Sequence, residues 1–144
     1  RKLSMDGGKY MREYLNLVQT FINEKHSEDL KNDFITPLKK SIEHLQAALM
    51  FFMQNGLKNP LSAVSGATDF LHLVGLVSLG FIWSKKAQSA KEKLKDISAN
   101  KNFLEAKILT GSYFMHRQLP ETKLRLDRIL TGEKQVMSLA ADQF

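Results

Sequence analysis

The sequence has no cysteine. That removes disulfides and thiolate metal sites, and it fits a reducing compartment. No segment alternates apolar and polar residues over a useful length, which removes the pattern of a half-buried sheet. There are no internal repeats, low-complexity tracts or long linkers. A chain of 144 residues fits one domain, and a domain of this size hides roughly 70% of its unfolded-chain surface, so a core can form without staples. No G-x-G-x-x-G, P-loop or nucleophile elbow is present. Gly7-Gly8 is too short to cradle a phosphate and reads as a turn. The opening RKLSMDGGKY has neither a signal nor a transit pattern and lacks an initiator methionine. The expectation is a piece of a longer chain, or a chain whose start is missing.

A formal charge of +6 raises nucleic-acid and membrane readings. The lysines, however, are spread along the chain among Glu and Asp. The densest group, Lys85, Lys86, Lys91, Lys93 and Lys95, includes Glu92 and has no interleaved aromatics. It reads as a solvated helix face, with no nucleic-acid partner.

What the sequence does contain is helical periodicity. After Gly8, the residues Met11, Tyr14, Leu15, Val18, Phe21 and Ile22 fall on one stripe. Ser27 reads as an N-cap, with Glu28 and Asp29 in the first turn. Pro37 predicts a break or kink near Ile35 and Thr36. Leu38, Ile42, Leu45, Leu49 and Phe52 then form a bundle seam, widened by Ala48 and Met53 and stopped at Gly56. Asn59-Pro60 opens a third long helix, expected to run to Ser98–Asn100. Its first half, to Trp83, is nearly apolar. Few of its residues suit water, so it is expected to be buried centrally. Ala63, Gly66, Ala67, Gly75, Ser78 and Gly80 are small, as close packing wants, and each glycine lowers its helix propensity by about 1 kcal/mol, a cost that close neighbours would offset. Asp69 and His72 interrupt the apolar run and argue against a bilayer span. Asn102 with Glu105 reads as a capping box. Leu104, Ile108, Gly111, Met115 and Leu119 form the next stripe, Leu119-Pro120 a kink, and Leu124, Ile129 and Leu130 an extension to Gly132. The tail suggests one short helix. The fold class is all-α, an up-and-down bundle of four to five helices in a single domain, 1–144.

Candidate chemistry is sparse. His26, His44, His72 and His116 show no metal-ligand spacing. His72 is the one expected to be buried, as a hydrogen-bonded core histidine. Asp69, set in GATDFLHL, needs a partner if buried, such as a helix end or Arg117. Trp83, Phe81 and the Met50 to Met53 group read as core or interface. No catalytic, cofactor-binding or metal residue is assigned.

Three strings carry a resemblance: RKLSMDGGK, NPLSAVSGATDFLHLVGLVSLGFIW and YFMHRQLPETKLRLDRILTGEKQVMSLAADQF. In that order and spacing they resemble the C-terminal extension of long bacterial acyl-CoA dehydrogenases, the group that includes 3-methylmercaptopropionyl-CoA dehydrogenase-like enzymes. The resemblance spans essentially the whole chain. GATDFL, the LPET corner and the end from Met137 to Phe144 are its most specific parts.

The resemblance implies a parent enzyme that oxidises an acyl-CoA thioester to the trans-2-enoyl-CoA. A glutamate takes the α proton, and the β hydrogen leaves as hydride to FAD. In the family that glutamate lies shortly before a Gly-Arg-Lys-Leu string. Arg1, Lys2 and Leu3 match the end of that string, so the base and the flavin contacts are expected upstream. Neither Glu13 nor Glu24 matches the base motif. The expected segment is a non-catalytic structural domain of a cytoplasmic enzyme, holding no FAD itself. It would pack on the catalytic domains of the same polypeptide in a homo-oligomer. The contact surface is expected on the first helix or on the Leu38 to Phe52 helix. The alternatives are a stand-alone helical interaction module and, less favoured, membrane association through the lysine-rich helix end.

Overall fold

The computed structural model describes residues 8–56, 58–136 and 138–143. Expectations placed on Arg1 to Leu3, Gly7, Met137 and Phe144 lie outside the described residues. The element order is α1 (Lys9–Asn23), α2 (Glu28–Leu30), a π-helical turn (Lys31–Ile35), α3 (Thr36–Asn55), α4 (Pro60–Ser65), α5 (Ala67–Lys93), α6 (Lys101–Tyr113), a second π-helical turn (Phe114–Gln118), α7 (Glu121–Thr131) and a short 3-10 turn (Ala141–Gln143). Every regular element among the described residues is helical. The chain is the all-α bundle that its periodicity predicts.

The centre is α5, which packs against α3, α6 and α7. Its core face carries Phe70, Leu73, Val77, Phe81 and Ala87. Across from it stand Leu38, Ile42 and Leu45 of α3, Met115 and Leu119 at the second π turn, and Ile129 of α7. The α1 stripe behaves as read: Val18, Phe21 and Ile22 are buried, with Met11, Tyr14 and Leu15 packed beside them. Phe21 meets Phe81 edge-on at 5.4 Å between ring centroids. Tyr14 and Ser78 share a hydroxyl hydrogen bond of 2.8 Å that ties α1 to α5.

Glycine sets how closely the helices approach. A methyl group on Gly80 would stand 3.1 Å from Leu119 Cδ1, and one on Gly111 would stand 2.9 Å from Phe34 Cε1 and 3.1 Å from Trp83 Cε3. Beyond its own helix backbone, no described residue lies within 4 Å of the same position on Gly75, which faces solvent.

Several boundaries differ from the sequence reading. The third long helix is two helices, because the chain bends at Gly66, where a side chain would press on the Phe52 ring at 3.1 Å. It ends at Lys93, and residues 94–100 form turns in place of the expected helix to Ser98–Asn100. The N-cap of α6 is Asn100, whose side chain accepts from Phe103 N–H, and Asn102 lies inside the helix. Asn59 caps α4 as expected, accepting from Leu61 N–H. Ser27 holds the N-cap position of α2, but its side chain makes no cap bond. Met53 is 76% exposed and does not widen the α3 face. On α7 the buried face is Thr122, Leu126 and Ile129, while Leu124 and Leu130 point outward.

Pro37 does not break its helix, whereas Leu119 and Pro120 form a turn between the second π-helical turn and α7, the kink or break that the sequence leads one to expect. Before Pro37, Thr36 N–H reaches back five residues to Lys31 O. Before Pro120, Leu119 N–H does the same to Phe114 O at 2.9 Å. Each widened turn accommodates a residue that has no N–H to give and whose ring crowds the preceding carbonyl. At the far end, Gly132 takes φ 69 and ψ −158, a backbone that suits glycine alone. It returns Glu133 to the start of α4, where Ser62 and Asn59 both donate to its carboxylate. The Ser62 bond is the main reason that this carboxyl is held below the usual range.

The glycine contacts predict opposite signs for two matched substitutions. Gly111→Ala should destabilise the chain by about 1–3 kcal/mol, through overpacking against buried Phe34. Gly75→Ala should stabilise it by about 0.5–1 kcal/mol, because it restores helix propensity at an open position. Urea unfolding of both variants checks this, and effects of the same sign would contradict the packing described.

Candidate functional site

The four histidines stay apart, and no group of three or more His, Asp or Glu able to hold a metal exists among the described residues. His72, expected in the core, is exposed, because it sits on the side of α5 that turns away from α3 and α7. The buried one is His26, at 8% exposure. Its Nε2 lies 2.7 Å from Phe21 O. A carbonyl only accepts, so Nε2 carries a proton, and the buried Nδ1 has no hydrogen-bond partner among the described residues. His116 and Asp33 pair at 3.7 Å and join the two π-helical turns.

Asp69 does find an arginine, but the partner is Arg125, at 2.8 Å, with Arg128 at 3.7 Å; Arg117 is not involved. Arg125 also binds Glu121 one turn earlier on α7. The group ties the first turn of α5 to α7. Asp69 therefore has a structural role.

One concavity gathers polar groups. Pro37 and Pro120, each just past a π-helical turn, line a pocket of about 170 Å³ with Met115 and Leu119. Lys40, His44 and Lys123 stand around it, with Thr122 beneath. Thr122 is buried and donates its hydroxyl proton to Leu119 O at 2.9 Å. It must then accept from His44 Nδ1–H, 2.9 Å away. That fixes the ring and leaves the lone pair on Nε2. Burial, helped by Lys40 and Lys123, pushes His44 below its ordinary pKa, while Glu43 and Asp127 oppose this. π-helical turns are frequent at functional sites, and two meet here. The sequence marked both prolines as helix disturbances, but nothing in it paired them or linked His44 to Thr122, which is 78 residues away.

A larger hollow of about 470 Å³ between α3 and α7 is an open groove lined by Ala47, Met50, Phe51 and Leu130, with Gln46 and Gln54 as its polar side chains. These residues do not fit a flavin. They lie within helices whose backbone N–H groups are already used, so nothing cradles a pyrophosphate. The Pro37–Pro120 pocket is too small for an isoalloxazine with its dinucleotide.

The most extensive feature is a second apolar face on α5. Leu71 (71% exposed), Gly75, Leu79 (51%) and Ile82 (45%) recur at steps of four, four and three. They run along the side opposite Leu73, Val77 and Ser84. The expectation of a helix buried all round is thus corrected: α5 is apolar all round but covered on one side only. It is the one helix among the described residues long and apolar enough to cross a membrane, with a mean hydropathy of 1.4 over its best window. Phe103, Leu109 and Tyr113 of α6 are also exposed.

The sequence model of the family described as acetyl-CoA dehydrogenase C-terminal like matches residues 14–140. No curated protein matches the chain.

The depressed pKa of His44 sets a pH dependence. In the unfolded chain imidazole titrates near ~6.5. The folded chain resists that proton, so stability present above this value is lost as pH falls through the folded pKa. His44→Gln should reduce the loss of stability between about pH 7.5 and pH 5, read as the change in urea midpoint. A variant as acid-sensitive as the unaltered chain would contradict the assignment.

Proposed function

The chain belongs to the acetyl-CoA dehydrogenase C-terminal-like family, and from that premise we propose that it is the structural C-terminal domain of an FAD-dependent acyl-CoA dehydrogenase. Within the family we place it near the 3-methylmercaptopropionyl-CoA dehydrogenase-like group, on the strings GATDFL and LPET. The parent would oxidise an acyl-CoA thioester to the enoyl-CoA in the cytoplasm of a bacterium, as a homo-oligomer. The flavin, when bound in the catalytic domains, supplies the hydride acceptor. This segment supplies no base and no flavin contact, and Glu13 and Glu24 stand outside any base motif.

The observation that carries the reading is the outer face of α5. Burying an exposed leucine or isoleucine side chain is worth about 1.5–3 kcal/mol, so a stripe of three is a strong reason to dock. The occupant we assign is the catalytic part of the same polypeptide, since a C-terminal region always has that partner tethered at high effective concentration. This moves the expected contact from the first helix or α3 to α5. The α3 seam is occupied by the chain's own core. A stand-alone interaction module would present the same face to another protein, and a membrane-associated one would present it to lipid.

Leu71→Glu with Leu79→Glu tests the reading in the full-length enzyme. Both positions are exposed, so the isolated chain should keep its helical circular dichroism. In the intact enzyme the pair should make the domain sensitive to limited proteolysis and shift sedimentation towards smaller species. Unchanged proteolysis and sedimentation would overturn the docking face. Flavin binding and acyl-CoA turnover by the isolated chain would overturn the non-catalytic role.

A further inference from the structure

We propose that the pocket between Pro37 and Pro120 is a binding site for a small carboxylate with a short apolar stem, such as a free short-chain acid. The apolar floor is made of the Pro37 and Pro120 rings, set over the buried Met115, Leu119, Ser41 and Thr122. The rim is cationic: Lys40 and Lys123 line it, and no Asp or Glu does. Lys123 is paired with Asp127 along α7. Lys40 has no ion-pair partner among the described residues. Its ammonium is therefore the charge that a carboxylate would meet without displacing another acid. A pocket of about 170 Å³ holds the volume of about five or six waters at ~30 Å³ each. That suits a carboxylate with a few carbons.

His44 gives the site selectivity. Its Nδ1–H is committed to Thr122, and Thr122 is committed to Leu119 O. The ring can serve a ligand only through Nε2. A bare carboxylate cannot hydrogen-bond to that lone pair, but its charge favours a proton there, and the imidazolium then donates to it. Binding thus takes up one proton from solvent. The charged groups acting on His44 are Lys40 and Glu43 from α3 and Lys123 and Asp127 from α7. The two lysines make the empty pocket resist the proton; the ligand reverses that balance. A cation is excluded by the rim. An uncharged molecule of the same shape gains the floor without the rim. Phosphate gains the rim and leaves the floor bare.

The test is a titration of the 144-residue chain with sodium butyrate, followed by the NMR signal of the His44 ring. Sodium chloride at matched ionic strength, 1-butanol and inorganic phosphate are the controls. Butyrate should give a saturable shift and move the His44 titration midpoint upward, and the three controls should not. Lys40→Gln should weaken the apparent affinity by about tenfold or more, the loss expected for a charge-assisted contact, and Lys40→Arg should retain it. Lys40 is exposed, so neither variant threatens the fold. A response to butyrate no larger than to chloride would overturn the site. Equal responses to butanol or to phosphate would overturn the carboxylate or the stem, and an unchanged affinity in Lys40→Gln would overturn the rim. None of these outcomes depends on what covers the outer face of α5.

Discussion

Everything in this fold depends on how closely other elements can approach α5. At Gly80 the helix has no side chain, and Leu119 fills the space, with Leu38 beside it. At Gly111 the reverse holds: α6 gives up its side chain so that Trp83 of α5 and Phe34 can fit. These two approaches set the distances at which α3, α6 and the second π turn pack. Each glycine lowers helix propensity by about 1 kcal/mol, and the packing gained at close approach offsets this. Gly75 carries the same cost with no contact among the described residues to offset it. That contrast, on one helix, separates the face α5 uses for its own core from the face it leaves exposed.

The two prolines are the second constraint. Ahead of each ring the backbone widens to a five-residue hydrogen bond; the helix then runs on through Pro37, while Leu119 and Pro120 form a turn before α7. The turns pack against each other, and Asp33 and His116 bridge them. A widened turn re-aims the side chains that follow it. Here that brings His44 and Thr122 together over the Pro37–Pro120 pocket.

The fold was legible because stripes such as Leu38, Ile42 and Leu45 or Leu104, Gly111 and Met115 record directly which residues face inward. What failed were inferences about α5 and the helix ends. A helix apolar on every side has no periodic contrast, so neither the exposure of Leu71, Leu79 and Ile82 nor that of His72 could be read from spacing. The cap of α6 went to Asn100 in place of Asn102 because both offer the same side chain within two positions. Arg125 was missed as the partner of Asp69 because pairing over 56 residues is a property of packing. His44 and Thr122 were missed for the same reason. No catalytic residue was assigned from the sequence, and the polar groups found here belong to helix ties or to the small pocket.

The central helix has two apolar sides, one packed in the domain's own core and one exposed, which we propose docks on the enzyme that carries the domain. Oxidative footprinting of Leu71, Leu79 and Ile82 in the isolated chain and in the full-length protein tests this most directly. The account predicts strong labelling in the isolated chain and protection in the full-length protein, with Leu73 and Val77 protected in both. Equal labelling of the three residues in both forms would contradict it.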